Sequence, residues 1–313
     1  MQISYNRSKL KKVGQILPFI MLAYILFDLI LNKKLYFSID FLQSQTWGLS
    51  RSLIIVPVFL LMLINWLLEA VKWQLLTKKY YTLTIKRSFM SVWSGVSTAF
   101  FTPNRLGDFI GRVSHLPKGE RKNGIVSSAY GSYSQWLLTL SMGWLAWVQL
   151  GDQFIRSEKA FLLLSFFSFI LLVALFVLFF GKGSTMLLKQ KWQEHLKYRP
   201  SKEEKTKLIV LSALRYLVFT SQFYLLLLFL GVELDYGLVL SKLGIFYLIA
   251  SLLPSTFWGE LGVKESLAVW IFSGLIINSF IIIAATFLLW MINLLIPAIM
   301  GNYFLYKRNK THV

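Results

Sequence analysis

Apolar residues in this chain gather into runs of about twenty, parted by short polar stretches. A helical run of that length crosses the roughly 30 Å hydrocarbon core of a bilayer. Full-length runs fall at residues 13–31, 52–76, 124–150, 160–180 and 208–230, with a last one ending near residue 306. Two other runs break off early. Residues 88–102 rise only about 22 Å at 1.5 Å per residue, and Pro103 then blocks continuation by lacking an amide donor and crowding the residue before it. A short helix over 106–116 is expected to return toward its starting side. Farther on, the run 236–253 ends in LPSTFWGELGVKES (253–266), which sets Pro254, Gly259, Gly262 and three ionisable residues before the next apolar run, 267–283. The pattern predicts an all-α, polytopic integral membrane protein with six full spans and two re-entrant broken-helix hairpins. Eight thinner spans would keep the same parity. Every polar segment is short, so residues 1–313 read as one transmembrane domain.

The two breaks share an order of features. Each has a short apolar helix, a proline next to Ser or Thr, a glycine with an acid, then a base; in the first these include Pro103, Gly107, Asp108 and Arg112. Placed from opposite faces of the bilayer, they give the pattern of an inverted repeat with a midplane site built from broken helices.

Composition sharpens this reading. Of 313 residues, 56% are hydrophobic and only 15% charged, which leaves charge for loops and a few special positions. Lys and Arg number 33 against 14 acids. In the six-span layout the segments 1–12, 77–87, 117–123, 181–207 and 307–310 hold 22 basic residues and the opposite loops hold 5, leaving 6 in membrane segments. The excess places both tails, 1–12 and 307–313, and the 181–207 loop on the cytoplasmic side of the cell membrane. It also accounts for the basic balance without nucleic acid as a partner and offers contacts for anionic lipid headgroups. Basic residues before the first helix, without a small-residue cleavage site after it, read as a retained signal anchor. The chain has no cysteine, so disulfides and thiol chemistry are excluded. It lacks HExxH, GxSxG and P-loop signatures, and no cofactor, metal ligand set or catalytic residue is expected.

Candidate chemistry lies in the breaks, because ionisable groups inside a membrane are costly and carry a functional presumption. Arg105, Asp108 and Arg112 share a helical face, and a planar guanidinium suits a phosphate by binding two oxygens at once. Glu260 and Lys264 stand i,i+4 in the favoured acid-first order, beside Glu265. A half-helix beginning near Gly262 would aim free amides into the break. Trp258 offers an apolar face with one donor, suited to an acyl chain or glycerol region. The alternative is that these charges pair among themselves and merely pin the hairpins. Glu69, Lys72, Arg215 and Lys242 are expected at span ends, snorkelling to the interface.

The segments TPNRLGDFIGR (102–112) and LPSTFWGELGVKE (253–265) resemble the two signature segments of the lysylphosphatidylglycerol synthetase transmembrane (flippase-like) family, with an agreeing hydropathy layout over residues 10–306. The resemblance implies a membrane domain that moves aminoacylated phosphatidylglycerol or other lipids between leaflets, with two re-entrant segments forming its cavity. By motif position it assigns Arg105, Asp108, Glu260, Lys264 and Glu265 to that cavity. Asn104 and the pair Phe257–Trp258 depart from the family's small residues and would narrow it. The aminoacyl-transferase domain of the bifunctional members is missing, so lipid synthesis is not implied. The expected function is therefore translocation of a phosphate-bearing lipid, with membrane lipids, a second copy or a partner synthase as partners. The alternatives are a transferase acting on a lipid carrier, with Asp108 or Glu260 as base, and a non-catalytic assembly subunit.

Overall fold

The computed structural model describes residues 48–100, 102, 105–155, 157–181, 200–253, 257–275 and 278–311, with only the backbone of 50, 257–261 and 308–311. The expected first span, 13–31, lies outside these, as do Pro103, Pro254 and most of the 181–207 loop. The described residues form helices and no strand. After a short helical turn at Leu49–Leu53 come α1 (Ile55–Thr77), α2 (Ile85–Phe100), α3 (Gly107–Val113), α4 (Arg121–Leu150) and α5 (Glu158–Phe180). Then follow α6 (Lys202–Phe229), α7 (Tyr236–Leu252), α8 (Phe257–Phe272), α9 (Ser279–Trp290) and α10 (Ile296–Thr311). A π-helical turn, Met291–Leu295, joins α9 and α10 into one rod. Among the described residues, four helices are long and apolar enough to cross a membrane: Arg51–Thr77, Glu158–Phe180, Lys202–Phe229 and Ser279–Lys307. The protein is an all-α, multi-pass membrane protein.

The outer surface is what that class requires. α5 exposes Leu162, Leu163, Phe166, Phe167, Leu171 and Val177, and α1 exposes Leu60, Leu63, Ile64 and Leu67. Its opposite face, with Asn65, Trp66, Glu69, Lys72 and Trp73, is buried. The helix is thus inverted relative to a soluble one, apolar toward lipid and polar toward protein. With no water in the hydrocarbon, polar side chains find partners only inside the bundle.

The first break is a hairpin closed on itself. α3 runs back along α2, with Thr98 opposite Gly107, Ser94 opposite Gly111 and Ser91 opposite Arg112. A Cβ on Gly111 would collide with the Ser94 carbonyl, so the backbones touch there because no side chain intervenes. Hydroxyls satisfy the opened backbone: Thr98 donates to the Gly107 carbonyl at 2.6 Å, the Gly107 amide donates to Thr102 at 2.7 Å, and Ser91 donates to the Arg112 carbonyl at 2.7 Å. Ser94 and the His115 ring bond at 2.9 Å. The expected return over 106–116 is therefore present as a seven-residue helix.

The second break differs from expectation in one respect. The sequence pattern placed the half-helix start near Gly262, whereas α8 begins at Phe257. Gly259 and Gly262 thus lie within the helix. The free amides of the helix start accordingly lie near Phe257, about five positions upstream of where glycine was expected to open the chain.

Packing between the halves follows a twofold pattern. Ile85 of α2 and Tyr236 of α7 have the same separation in sequence as Pro103 and Pro254. α1 packs on α6, α2 on α10, and α7 on α4; each matches under exchange of α1 with α6, α2 with α7, and α4 with the α9–α10 rod. The α1–α6 pair is antiparallel, since Val58 meets Gln222, Asn65 meets Arg215 and Lys72 meets Ser212. So is α4–α7, where Ala146 meets Gly244 and Gln149 meets Ser241. α1 and α6 are equivalent under the exchange, and equivalent helices running in opposite directions are the arrangement expected of an inverted repeat.

Candidate functional site

The centre of the α1–α6 pair holds the polar cluster around which the site is built. Glu69 projects from the buried face of α1, one turn after Asn65 and one before Lys72. Its Oε1 accepts from Arg112 Nη1 at 2.5 Å, its Oε2 accepts from Arg215 Nη1, and Lys72 Nζ lies 3.8 Å away. Arg112 also pairs with Asp108 one turn back on α3, Nε to Oδ2 at 2.9 Å. Arg215 further donates from Nε to Asn65 Oδ1 at 3.1 Å and from Nη1 to Gln135 Oε1 at 3.4 Å. Lys72 donates to Ser212 at 2.9 Å, and Ser212 bonds Ser134 of α4 at 3.1 Å. Four helices, α1, α3, α4 and α6, are thereby tied through one carboxylate and three cations.

This corrects the reading of Glu69, Lys72 and Arg215 as interfacial groups. Glu69 is 4% exposed and Lys72 only 1%, so neither reaches water by snorkelling. Distance from a span end does not decide the matter. Counter-charges on other helices do, and Arg112 and Arg215 stand 43 and 146 residues from Glu69 in sequence. Lys242 is also buried, but at the end of the bundle, where it donates to Gln153 at 3.3 Å and covers the Phe154 ring at 5.5 Å.

Two cavities open against the cluster. The larger, about 760 Å³, has Glu69, Lys72, Arg105, Asp108, Arg112 and Arg215 in its wall, with Gln135, Tyr133 and Trp136 of α4 opposite. The smaller, about 350 Å³, is walled mainly by Phe219, Phe246, Tyr247, Leu289, Trp290 and Leu294, with Lys264 and Glu265 from α8. Trp66, Arg105, Gln135, Thr139, Arg215 and Ser251 belong to both, so the two spaces adjoin. The result is one amphipathic hollow with a charged and an aromatic lobe.

Of the predicted site residues, Arg105, Asp108, Arg112, Lys264 and Glu265 all converge on this hollow. The side chains of Trp258 and Glu260 lie outside the described residues. Arg105 holds a distinctive place. It lies at φ 56°, in the left-handed region disfavoured for a residue with a Cβ, and its guanidinium makes no ion pair among the described residues. A cation so placed is available to a ligand, whereas Arg112 is already shared between two carboxylates. Non-glycine residues in this region concentrate at functional sites, where surrounding structure over-determines them.

Sequence reasoning missed Asn65, Gln135 in its role beside Arg215, and Asn293. Asn65 Nδ2 approaches Asn293 Oδ1 at 3.5 Å, and Asn293 sits in the π-helical turn and donates to the Leu289 carbonyl at 3.2 Å. The extra residue of a π turn re-aims such side chains, and these turns recur at functional sites. The legible signal was Asn65–Glu69–Lys72 on a single face of an otherwise apolar run. Comparison with protein-family models finds no match to this chain, and comparison with curated proteins finds none either.

Proposed function

We propose that this protein is a lipid translocase of the cytoplasmic membrane, carrying a phosphate-bearing lipid between leaflets, with both chain termini on the cytoplasmic side. One observation carries the reading: a charged lobe and an aromatic lobe adjoin inside a bundle whose outer surface is apolar. A phospholipid has the same division, and neither half of such a molecule would meet an unsuited wall. Arg105, Arg112 and Arg215 are the headgroup contacts in this reading, and Phe219, Phe246 and Tyr247 face the glycerol and chain. The resemblance of residues 102–112 and 253–265 to the lysylphosphatidylglycerol synthetase transmembrane family supports the same conclusion. Inverted halves supply a route to alternating access, since exchanging their conformations opens the hollow to the opposite leaflet.

The test is transbilayer movement in vesicles. Proteoliposomes carrying a headgroup-labelled fluorescent phospholipid are challenged with an impermeant quencher, and the rate of label exposure is compared with that of protein-free vesicles. A rate above the protein-free value that falls at least tenfold in Arg105→Gln is expected. Equal rates with and without protein would overturn the assignment.

A further inference from the structure

Across the charged lobe from its arginines, the wall is neutral and hydrogen-bonding. It is the stripe Ser132, Gln135, Trp136 and Thr139 of α4, residues three and four apart that share one helical face. Trp136 is 37% exposed, and among the described residues neither its indole N–H nor the Ser132 hydroxyl makes a hydrogen bond. The other two tryptophans of the helix do bond: Trp144 donates to the Ser165 carbonyl at 3.2 Å, and Trp147 donates to the Ser165 hydroxyl at 3.1 Å. Gln135 is held loosely, donating to the Ser212 carbonyl at 3.5 Å and accepting from Arg215 at 3.4 Å. Trp136 lies about 22 Å along α4, far from the interfaces where tryptophan ordinarily finds water. At that depth an unpaired donor is costly unless the contents of the hollow accept from it. The lobe is also roomier than a phosphate requires. At about 760 Å³ it falls in the range, roughly 300–1,000 Å³, of pockets that enclose a whole drug-sized ligand.

We propose that the lipid headgroup carries a hydroxylated ring, a sugar or cyclic polyol, beyond its phosphate, and that Trp136 and Ser132 recognise this ring. The inference rests on the hollow being the lipid site proposed above. With the phosphate held by the arginines, the ring lies across the lobe against α4. Its C–H face covers the indole, which joins a broad apolar surface to a single donor. Its rim hydroxyls accept from Trp136 and exchange hydrogen bonds with Ser132 and Gln135, since a hydroxyl both donates and accepts. A headgroup ending in a plain alkyl group leaves those partners unmatched, and a site built to bond a hydroxyl rejects the analogue lacking it. A quaternary ammonium also favours an indole face. It has no hydrogen-bonding atom, however, and leaves the Ser132 hydroxyl and the indole N–H as they were.

Binding to the detergent-solubilised full chain tests this, with dioctanoyl phosphatidylinositol, phosphatidylglycerol, phosphatidylethanol and phosphatidylcholine as probes. The first three share one singly charged phosphodiester and differ only in the alcohol attached to it. Phosphatidylinositol should bind at least tenfold tighter than phosphatidylethanol, with phosphatidylglycerol between them. Trp136→Leu should cut that ratio at least fivefold, Trp136→Tyr should keep most of it, and Ser132→Ala should cut it about threefold. Melting temperatures should not change, since neither side chain bonds to the rest of the protein. Equal affinities for phosphatidylinositol and phosphatidylethanol, or a ratio that Trp136→Leu and Ser132→Ala both leave intact, would overturn the proposal. So would tightest binding of phosphatidylcholine, which would give the indole to a cation. Glycerophosphoinositol, the same headgroup without chains, binding as tightly as phosphatidylinositol would overturn the lipid part. The binding preference without translocation in vesicles would sink the translocase and leave this headgroup reading standing. Translocation with no preference among the four lipids would do the reverse.

Discussion

The two interrupted hairpins start from the same sequence pattern and solve the problem of open backbone differently. In the first, α2 and α3 lie against each other so closely that small residues and hydroxyls do all the joining: Ser91, Ser94, Gly95, Thr98, Gly107 and Gly111. A seven-residue helix is far too short to persist alone, and α3 exists because α2 holds it. In the second, α8 has sixteen residues, and α7 gives its small-residue face to α4 instead, through Gly244 and Gly143. The consequence is electrostatic. The first hairpin presents Asp108 and Arg112 to Glu69 from a fixed backbone, with Arg105 beside them, and contributes net positive charge. Among the described side chains, the second contributes Lys264 and Glu265, one charge of each sign. An inverted repeat therefore frames a hollow that is not itself symmetric: its charged lobe takes Arg105, Asp108 and Arg112 from the first break, to join Glu69, Lys72 and Arg215 of the spans, and no described side chain of α8.

The largest effect expected follows from how each hairpin is docked onto the other half. A Cβ on Gly301 of α10 would run into the main-chain carbonyl of Trp93 on α2, whereas one on Gly143 of α4 would come within 2.5 Å of the Leu248 Cβ on α7. Neither obstacle can swing aside, and the overlap is the deeper at Gly301, where main-chain carbon and oxygen both stand in the way. Gly301→Leu should abolish recovery of monodisperse protein in detergent, and Gly143→Leu should leave folded protein with a lowered melting temperature. Size-exclusion profiles and melting curves of the two variants check the order. If Gly143→Leu proved the more damaging, the first hairpin would not be the more tightly docked of the two.

Next in size is the tie between the first hairpin and the spans. Glu69→Gln leaves Arg112 and Arg215 buried without their shared carboxylate, and breaking a buried pair in this way costs about 3–5 kcal/mol. Lys264→Gln on the second hairpin should cost less, because Lys264 is only half-buried. Chemical denaturation of both variants, read by tryptophan fluorescence, measures the difference.

These contrasts also show what was legible in the sequence. The short run 88–102, Pro103 and the returning 106–116 segment announced the first hairpin, because length against bilayer thickness is a local property. The i,i+4 pair Asp108–Arg112 was equally visible and is present at 2.9 Å. Glu69, Lys72 and Arg215 were misplaced because their meaning depends on partners brought together by packing. Seen along the chain, a carboxylate eight residues from the end of α1 looks able to reach the interface. Only the antiparallel contact of α1 with α6 puts it opposite Arg215 instead. The start of α8 was misjudged for a milder reason: glycine marks where a helix can open, and Gly259 and Gly262 sit inside one.

The smallest effect expected is also the most telling for the first hairpin. Arg105 holds φ 56°, where an L-residue is strained by roughly 1 kcal/mol and glycine is not. Arg105→Gly removes that strain together with the unpaired guanidinium, so stability and function should part company. The variant should melt at the wild-type temperature or slightly above it, part of the relief being offset by the greater freedom of glycine in the unfolded chain. Its lipid transport should nonetheless fall as far as that of Arg105→Gln, which keeps the strain and loses the same charge. A destabilised Arg105→Gly would mean that the Arg105 side chain is a structural support of the turn. A strained backbone retained at no structural benefit is otherwise explained by the placement of a cation at the junction of the two lobes.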